Sequence, residues 1–90
     1  MAERYTEDSP PQHEQLIKLS KLPKGARGFI RLHQENEFHR TLLEMGLLPG
    51  EIVSVEVIAP FGDPMALMVS GYLLSIRKSD ADFIWVEVTD

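Results

Sequence analysis

The half of the chain that begins at Glu51 constrains the fold most, because it consists of short apolar segments separated by turns. Val53, Val55 and Val57 alternate with polar residues, which is typical of a strand with one buried face and one wet face. Proline, glycine, serine and aspartate interrupt such segments about every ten residues. Two strand-like segments also precede residue 34. This spacing predicts a mainly β protein with one α-helix, a small closed β-barrel of five or so strands.

Between residues 36 and 46 the spacing of apolar residues changes from that of a strand to that of a helix. Phe38, Leu42 and Met45 recur at helical spacing and form the apolar stripe of an amphipathic helix. Asn36 is placed to cap its start. A glycine follows the stripe, where a left-handed residue commonly ends a helix. We therefore predict structural roles for four turn residues: Gly46, Pro49, Gly50 and Gly71.

The two ends of the chain differ in composition. Residues 1–15 contain Ser9-Pro10-Pro11 and few apolar side chains, so we expect a flexible polar tail before one domain of residues 16–90. The absence of cysteine excludes disulfides and thiolate metal sites. No apolar run approaches the roughly 18–20 residues of a membrane helix, and the polar start does not resemble a signal peptide. We expect a cytoplasmic protein that does not span a membrane.

The sequence carries no motif of a common catalytic site. No serine lies in a G-x-S-x-G turn, and no glycine-rich segment leads into the Lys-Ser or Lys-Thr of a phosphate-binding loop. We therefore expect no enzymatic activity, no catalytic residue and no certain cofactor.

Basic residues are concentrated near the start of the predicted domain, although the whole chain has a net charge of −5. Residues 16–32 contain no acidic side chain. Five cations lie in this segment: Lys18, Lys21, Lys24, Arg27 and Arg31. They form either the wet edge of a strand pair or a positive surface that attracts an acidic protein or an anionic lipid leaflet. Nucleic acid is disfavoured as a partner, because the chain is acidic overall and the segment lacks interleaved aromatic residues.

Two further features allow alternative interpretations. Leu47 and Leu48, after the predicted helix, belong either to the core or to an apolar groove for a partner. Imidazole and carboxylate groups gather between the second strand and the helix, at His33, His39, Glu35 and Glu37. These are suitable ligands for ferrous iron, manganese or zinc, but their spacing matches no defined motif. A polar loop beside a solvated helix face explains them without a metal, and we favour that interpretation.

Two blocks of sequence resemble the ferrous iron transport protein A (FeoA) family: Met45-Gly46-Leu47-Leu48-Pro49-Gly50-Glu51 and Ala59-Pro60-Phe61-Gly62-Asp63-Pro64. The resemblance covers about residues 16–88. It implies a cytoplasmic SH3-like barrel that works with FeoB, a membrane transporter with a G-protein domain, and it implies an association with transition metals. A docking role in such a module is expected for Pro60, Gly62, Asp63, Pro64 and Arg77.

The resulting function hypotheses belong to three classes. The first is a non-catalytic adaptor of ferrous iron uptake that docks on FeoB. The second is a small Fe²⁺-responsive domain that binds the metal itself. The third is an RNA-binding SH3-like barrel, which the negative net charge disfavours.

Overall fold

The structure, a computed structural model, describes residues 16–35, 37 and 39–89. They form one antiparallel sheet of six strands in the order β1-β6-β2-β3-β4-β5. The strands are β1 Leu16–Lys18, β2 Arg27–His33, β3 Ile52–Ile58, β4 Met65–Val69, β5 Tyr72–Ile76 and β6 Ile84–Thr89. Two short α-helices lie between them, α1 His39–Glu44 and α2 Lys78–Ala81, and Leu19–Lys21 forms one turn of 3-10 helix. The prediction of a mainly β fold is confirmed.

Alternation along the strands places the core on one face of the sheet. Val53 and Val55 of β3 are buried and lie opposite Val69 and Leu67 of β4. Because side chains two residues apart share a face, the residues between them point to solvent. Ile30 and Val86, paired across β2 and β6, extend the same apolar face.

The sheet has two open edges among the described residues, so the prediction of a closed barrel is wrong. β1 pairs with β6 alone, and β5 pairs with β4 alone. β1 ends after three residues because the chain turns into the 3-10 helix, where Leu19 and Leu22 enter the core. A strand that stops so early does not reach β5, and closure requires that contact.

The predicted helix is present but shorter, since α1 ends at Glu44 and Asn36 and Phe38 lie outside the described residues. Its C-terminus is a Schellman motif: the Leu47 amide donates to the Leu42 carbonyl at 3.2 Å, and the Gly46 amide donates to the Leu43 carbonyl at 3.0 Å. Gly46 has φ +100°, which confirms its predicted left-handed conformation. The other glycines predicted to shape turns also have positive φ, Gly50 at +95° and Gly71 at +82°, and Pro49 lies outside any helix.

α2 and the 3-10 helix were not predicted as helices. Each is a single turn of three or four residues, which is too short to show helical periodicity in the sequence. The backbone of α2 begins after Arg77, and the amides of Asp80 and Ala81 both donate to the Arg77 carbonyl at 3.0 Å.

Gly28 lies in β2, against Val86 and Glu87 of β6. A Cβ atom at this position would lie 2.9 Å from the Glu87 carbonyl oxygen and 3.3 Å from the Val86 Cβ. Only glycine fits without a shift of the ladder, which explains why this buried strand position carries no side chain.

None of the helices within the described segments has the length and apolar character needed to cross a bilayer.

Candidate functional site

The five cations of the basic segment do not converge on one patch. Lys18 lies opposite Trp85 on β6, whereas Arg27 lies opposite Thr89. These two positions on β6 are four residues apart, or about 13 Å along the strand. Lys21 belongs to the 3-10 helix and Lys24 to the turn that leads back to β2. The cations are therefore distributed over two strands, the 3-10 helix and a turn.

Two of these cations already have partners within the protein. The Arg31 Nε donates to a Glu87 carboxylate oxygen at 2.7 Å, and the same guanidinium lies 5.0 Å from the Phe29 ring centroid. The Lys18 ammonium lies 5.8 Å from the centroid of the Trp85 ring. Arg31 and Lys18 therefore fit a solvated strand edge better than a surface that docks a partner.

Lys21 and Lys24 are the cations that remain available. Both are exposed, and within the described part of the chain no carboxylate pairs with either. They lie on short, strongly curved segments, so their charges extend into solvent.

The two leucines after α1 have opposite environments. Leu47 is fully buried, because the Schellman motif turns its side chain back onto Leu42 in the core. Leu48, one residue later, is 44% exposed. Of the predicted apolar pair, only Leu48 is accessible to a partner.

The loop from Ala59 to Pro64 is tied to itself and to α2. The Gly62 amide donates to the Ala59 carbonyl at 2.7 Å, and the Ala59 amide donates to the Pro64 carbonyl at 3.1 Å. The Lys78 amide donates to an Asp63 carboxylate oxygen at 3.0 Å. The Asp63–Pro64 peptide is cis.

This loop and the end of β5 form an open groove, lined by Asp63, Pro64, Ser75, Ile76 and Arg77. Phe61, at the tip of the loop, is 99% exposed. Phe61 is not among the residues predicted to dock, although an aromatic residue within a proline- and glycine-rich turn has no strand neighbour to cover it.

The two histidines meet beside α1. Their ring centroids lie 5.2 Å apart in an edge-to-face arrangement, with an interplanar angle of 88°. The His33 Nε2 lies 2.6 Å from the Leu47 carbonyl oxygen and is the donor, because a carbonyl only accepts. The Nδ1 atoms of His33 and His39 are buried and have no hydrogen-bond partner among the described residues. Burial lowers the pKa of His33, the bond to Leu47 opposes that effect, and the nearby His39 adds to it.

The four predicted metal ligands are not brought together. Glu35, Glu37 and His39 line a shallow depression with Arg40, but His33 does not line it. No group of three or more histidine, aspartate or glutamate side chains is positioned to hold a metal ion among the described residues. The described side chains therefore do not fit a metal centre, although the two histidines are adjacent.

Sequence comparison settles the family. The model of the FeoA domain family matches residues 17–88. The chain belongs to the FeoA family. A fusion protein of Fe²⁺ transport protein A and the Fe²⁺ transporter FeoB from Porphyromonas gingivalis is 34% identical to it over 73 residues, which is 80% of this chain and 9% of the fusion protein. The chain thus spans about a tenth of that relative's length.

Solved FeoA structures share the fold. A FeoA-like protein from Clostridium acetobutylicum is 36% identical, with a TM-score of 0.78, and the match covers 83% of this chain and 88% of that one. FeoA from Stenotrophomonas maltophilia, a prokaryotic SH3 domain protein complexed with zinc, is 28% identical with a TM-score of 0.66 over 79% of this chain and 89% of its own. The predicted SH3-like fold is confirmed, apart from closure of the sheet.

Proposed function

We propose that this FeoA-family chain is a non-catalytic adaptor of ferrous iron uptake that docks on the cytosolic part of a FeoB-type transporter. The observation that carries the proposal is the Porphyromonas gingivalis relative, in which Fe²⁺ transport protein A and FeoB are fused. Fusion holds two domains at a high effective concentration, so a separate chain with the same role needs a binding surface of its own.

Lys21 and Lys24 on the one hand, and Leu48 on the other, are the exposed residues that we propose for binding. The two lysines are exposed cations, and Leu48 is an exposed apolar side chain on the short segment that follows α1. Lysines at the rim of an interface contribute mainly to the association rate with an acidic partner, because they act before contact is made. An apolar side chain at the centre contributes mainly to the lifetime of the complex.

The loop from Ala59 to Pro64 is a second contact that we propose for the same partner. Two internal hydrogen bonds and one to α2 hold it in place, so little conformational entropy is lost on binding. Phe61 is the aromatic residue of this loop, and aromatic side chains are common binding anchors. Arg77 lies in the groove beside it.

The association rate of the purified chain with a FeoB G-protein domain tests the proposal. Lys21→Glu combined with Lys24→Glu should slow association by roughly tenfold at low salt, and the rate should depend less on ionic strength. Lys24→Glu alone and Arg40→Glu form a matched pair, because each reverses one exposed cation. Lys24→Glu should slow association, whereas Arg40→Glu, outside the proposed surface, should associate as fast as the parent.

The apolar contact has a control of nearly equal exposure. Leu48 and Ile52 are 44% and 43% exposed, so Leu48→Asp and Ile52→Asp introduce the same charge at equally accessible places. Leu48→Asp should shorten the lifetime of the complex, whereas Ile52→Asp should not. If the lysine reversals bind as fast as the parent and Leu48→Asp abolishes binding in a folded protein, the interface is apolar and the lysines are merely solvated.

The second candidate function is metal binding by the chain itself. The zinc complex of the Stenotrophomonas maltophilia protein favours it, as do the Nδ1 atoms of His33 and His39, which have no partner within the described residues. In the part of the chain that the structure describes, no third ligand joins the two histidines, which argues against a tight site. We expect any weak Fe²⁺ or Zn²⁺ binding to survive His33→Ala with His39→Ala. A micromolar isotherm that disappears in this double variant would favour the metal-binding function.

A further inference from the structure

The edge formed by β5 lacks the features by which sheet edges resist pairing. β5 has five residues, Tyr72–Ile76, without a charge or a proline, and its ladder with β4 is regular. Its outer side has no strand partner in the part of the chain that the structure describes. Tyr72 and Leu73 are 72% and 60% exposed. An uncharged open edge of this kind is a template for another strand.

The turn before β5 determines which backbone groups are free. Ser70 and Gly71, at φ +52° and +82°, form a two-residue hairpin turn between the paired residues Val69 and Tyr72. In such a hairpin the flanking pair is hydrogen bonded, and the direction of bonding then alternates along the strand. The amides and carbonyls of Leu73 and Ser75 are therefore directed away from β4, towards the open edge.

We propose that β5 pairs in antiparallel fashion with β5 of a second copy of this chain, about a two-fold axis at Leu74. This register uses the whole strand. It places Leu73 of each copy opposite Ser75 of the other. Both residues have free amides and carbonyls, which can form hydrogen bonds between the two copies. The two Leu73 side chains become diagonal neighbours on the outer face, within reach of each other. Each is also next to Met68, its partner on β4.

Charges at the two ends of β5 favour a second copy over an unrelated strand. Arg77 is extended, at φ −73° and ψ 146°, and so continues the strand by one residue. In the proposed register it lies opposite Gly71 of the other copy. At that end of the sheet the Ser70 hydroxyl donates to a Glu51 carboxylate oxygen at 2.8 Å. The two-fold axis therefore brings an Arg77 cation towards a Glu51 carboxylate at each end.

This self-association goes beyond the proposed docking on FeoB, because Lys21, Lys24 and Leu48 lie outside β5. The groove beside the loop from Ala59 to Pro64 shares Ser75, Ile76 and Arg77 with the proposed dimer. The two can be tested separately, the first without any partner protein.

Sedimentation equilibrium of the full chain from micromolar to millimolar concentration tests the proposal. We expect a monomer–dimer equilibrium, which Leu73→Lys weakens at least about tenfold, because it places two like charges on diagonal positions. Val57→Lys is the matched control, since Val57 is 52% exposed on β3 and not at the edge. Thermal unfolding of each variant establishes that it is folded. Amide exchange at Leu73 and Ser75 should slow as the concentration rises.

A charge exchange tests the register. Arg77→Glu should weaken the dimer, because it places two carboxylates near each other. Adding Glu51→Arg should restore it, because each end of the interface then again has one cation and one carboxylate. Arg40→Glu, which changes the charge by the same amount away from β5, should leave the dimer unaffected.

A monomer at every concentration would overturn the proposal, whether the edge then takes another segment of the chain or another protein. A dimer that Leu73→Lys leaves intact, or in which Leu73 and Ser75 exchange as in the monomer, would overturn it as well.

Discussion

The two edges of the sheet differ in length, charge and cover. β1 has three residues, ends in Lys18, and leads directly into the 3-10 helix. The helix is held to α2 by a hydrogen bond from the Ser20 hydroxyl to the Asp82 carboxylate. β5 has five uncharged residues and leaves Tyr72 and Leu73 exposed.

A short, charged strand that runs into a helix protects the β1 edge, whereas the β5 edge stays accessible. On the β1 side, the strands β1, β6 and β2 are joined to the helices by buried contacts. On the β5 side, the β4–β5 hairpin contributes its inner face to the core and presents the rest to solvent. Substitutions on the β1 side should therefore reduce stability, whereas those on the β5 side should change association.

The largest effect is expected at Gly28, where β2 meets β6. Gly28→Val should lower the free energy of unfolding by about 3 kcal/mol, because the added atoms meet the Glu87 carbonyl and the Val86 side chain in a packed region. Ser75→Val places the same side chain on exposed β5, with a net gain of one heavy atom, and should cost nothing measurable. Urea unfolding at low protein concentration measures the free energy of unfolding of both variants. Equal losses would show that the two sides of the sheet do not differ in their sensitivity to substitution.

The next largest effect is expected at the end of α1. Gly46→Val should cost roughly 2 kcal/mol, because a β-branched residue is strained at φ +100°. The space around it is open, so the penalty is conformational rather than steric. Gly46→Asn should cost clearly less, since asparagine tolerates the left-handed region. A valine variant as stable as the parent would show that the Schellman motif is not needed to place Leu47.

A smaller effect compares two serines that each donate to a carboxylate. Ser20 is buried and bonds Asp82 on the β1 side, whereas Ser70 bonds Glu51 in an exposed position on the β5 side. Ser20→Ala should lower the free energy of unfolding by about 1.5 kcal/mol, and Ser70→Ala by about 0.5 kcal/mol or less. Thermal unfolding of the two variants measures the contrast. If Ser70→Ala lowers the free energy of unfolding more than Ser20→Ala does, the β1 side is not the protected side of the sheet.

The smallest effect is a dependence on pH on the β1 side. The folded-state pKa of His33 is lowered, chiefly by burial, so the unfolded chain binds its proton more readily. The stability due to neutral His33 is therefore present above the unfolded pKa of about 6.5 and declines as the pH falls below it. His33→Gln should reduce the loss of melting temperature between pH 7.5 and 5.5. If His33→Gln loses as much melting temperature as the parent over this pH range, other groups cause the pH dependence.

The predicted polar tail, residues 1–15, lies outside the described residues. Its flexibility and the domain boundary at residue 16 stay predictions.

Local sequence rules determined much of this protein. Alternation of apolar residues located the strands, and helical spacing before a glycine located α1 and its left-handed end, because these signals arise between near neighbours in the chain. The sequence blocks around Gly46 and Pro60 were also enough to indicate the family, which the match over residues 17–88 confirmed.

The meeting of distant segments was set by the tertiary structure. It left the sheet open, distributed the five cations over several elements, buried Leu47 while exposing Leu48, and paired His33 with His39 without the carboxylates. Neither strand partners nor burial is a property of neighbouring residues. Closure depended on how soon β1 turned into the core, and the exposure of each leucine depended on the direction in which the end of α1 sent the chain.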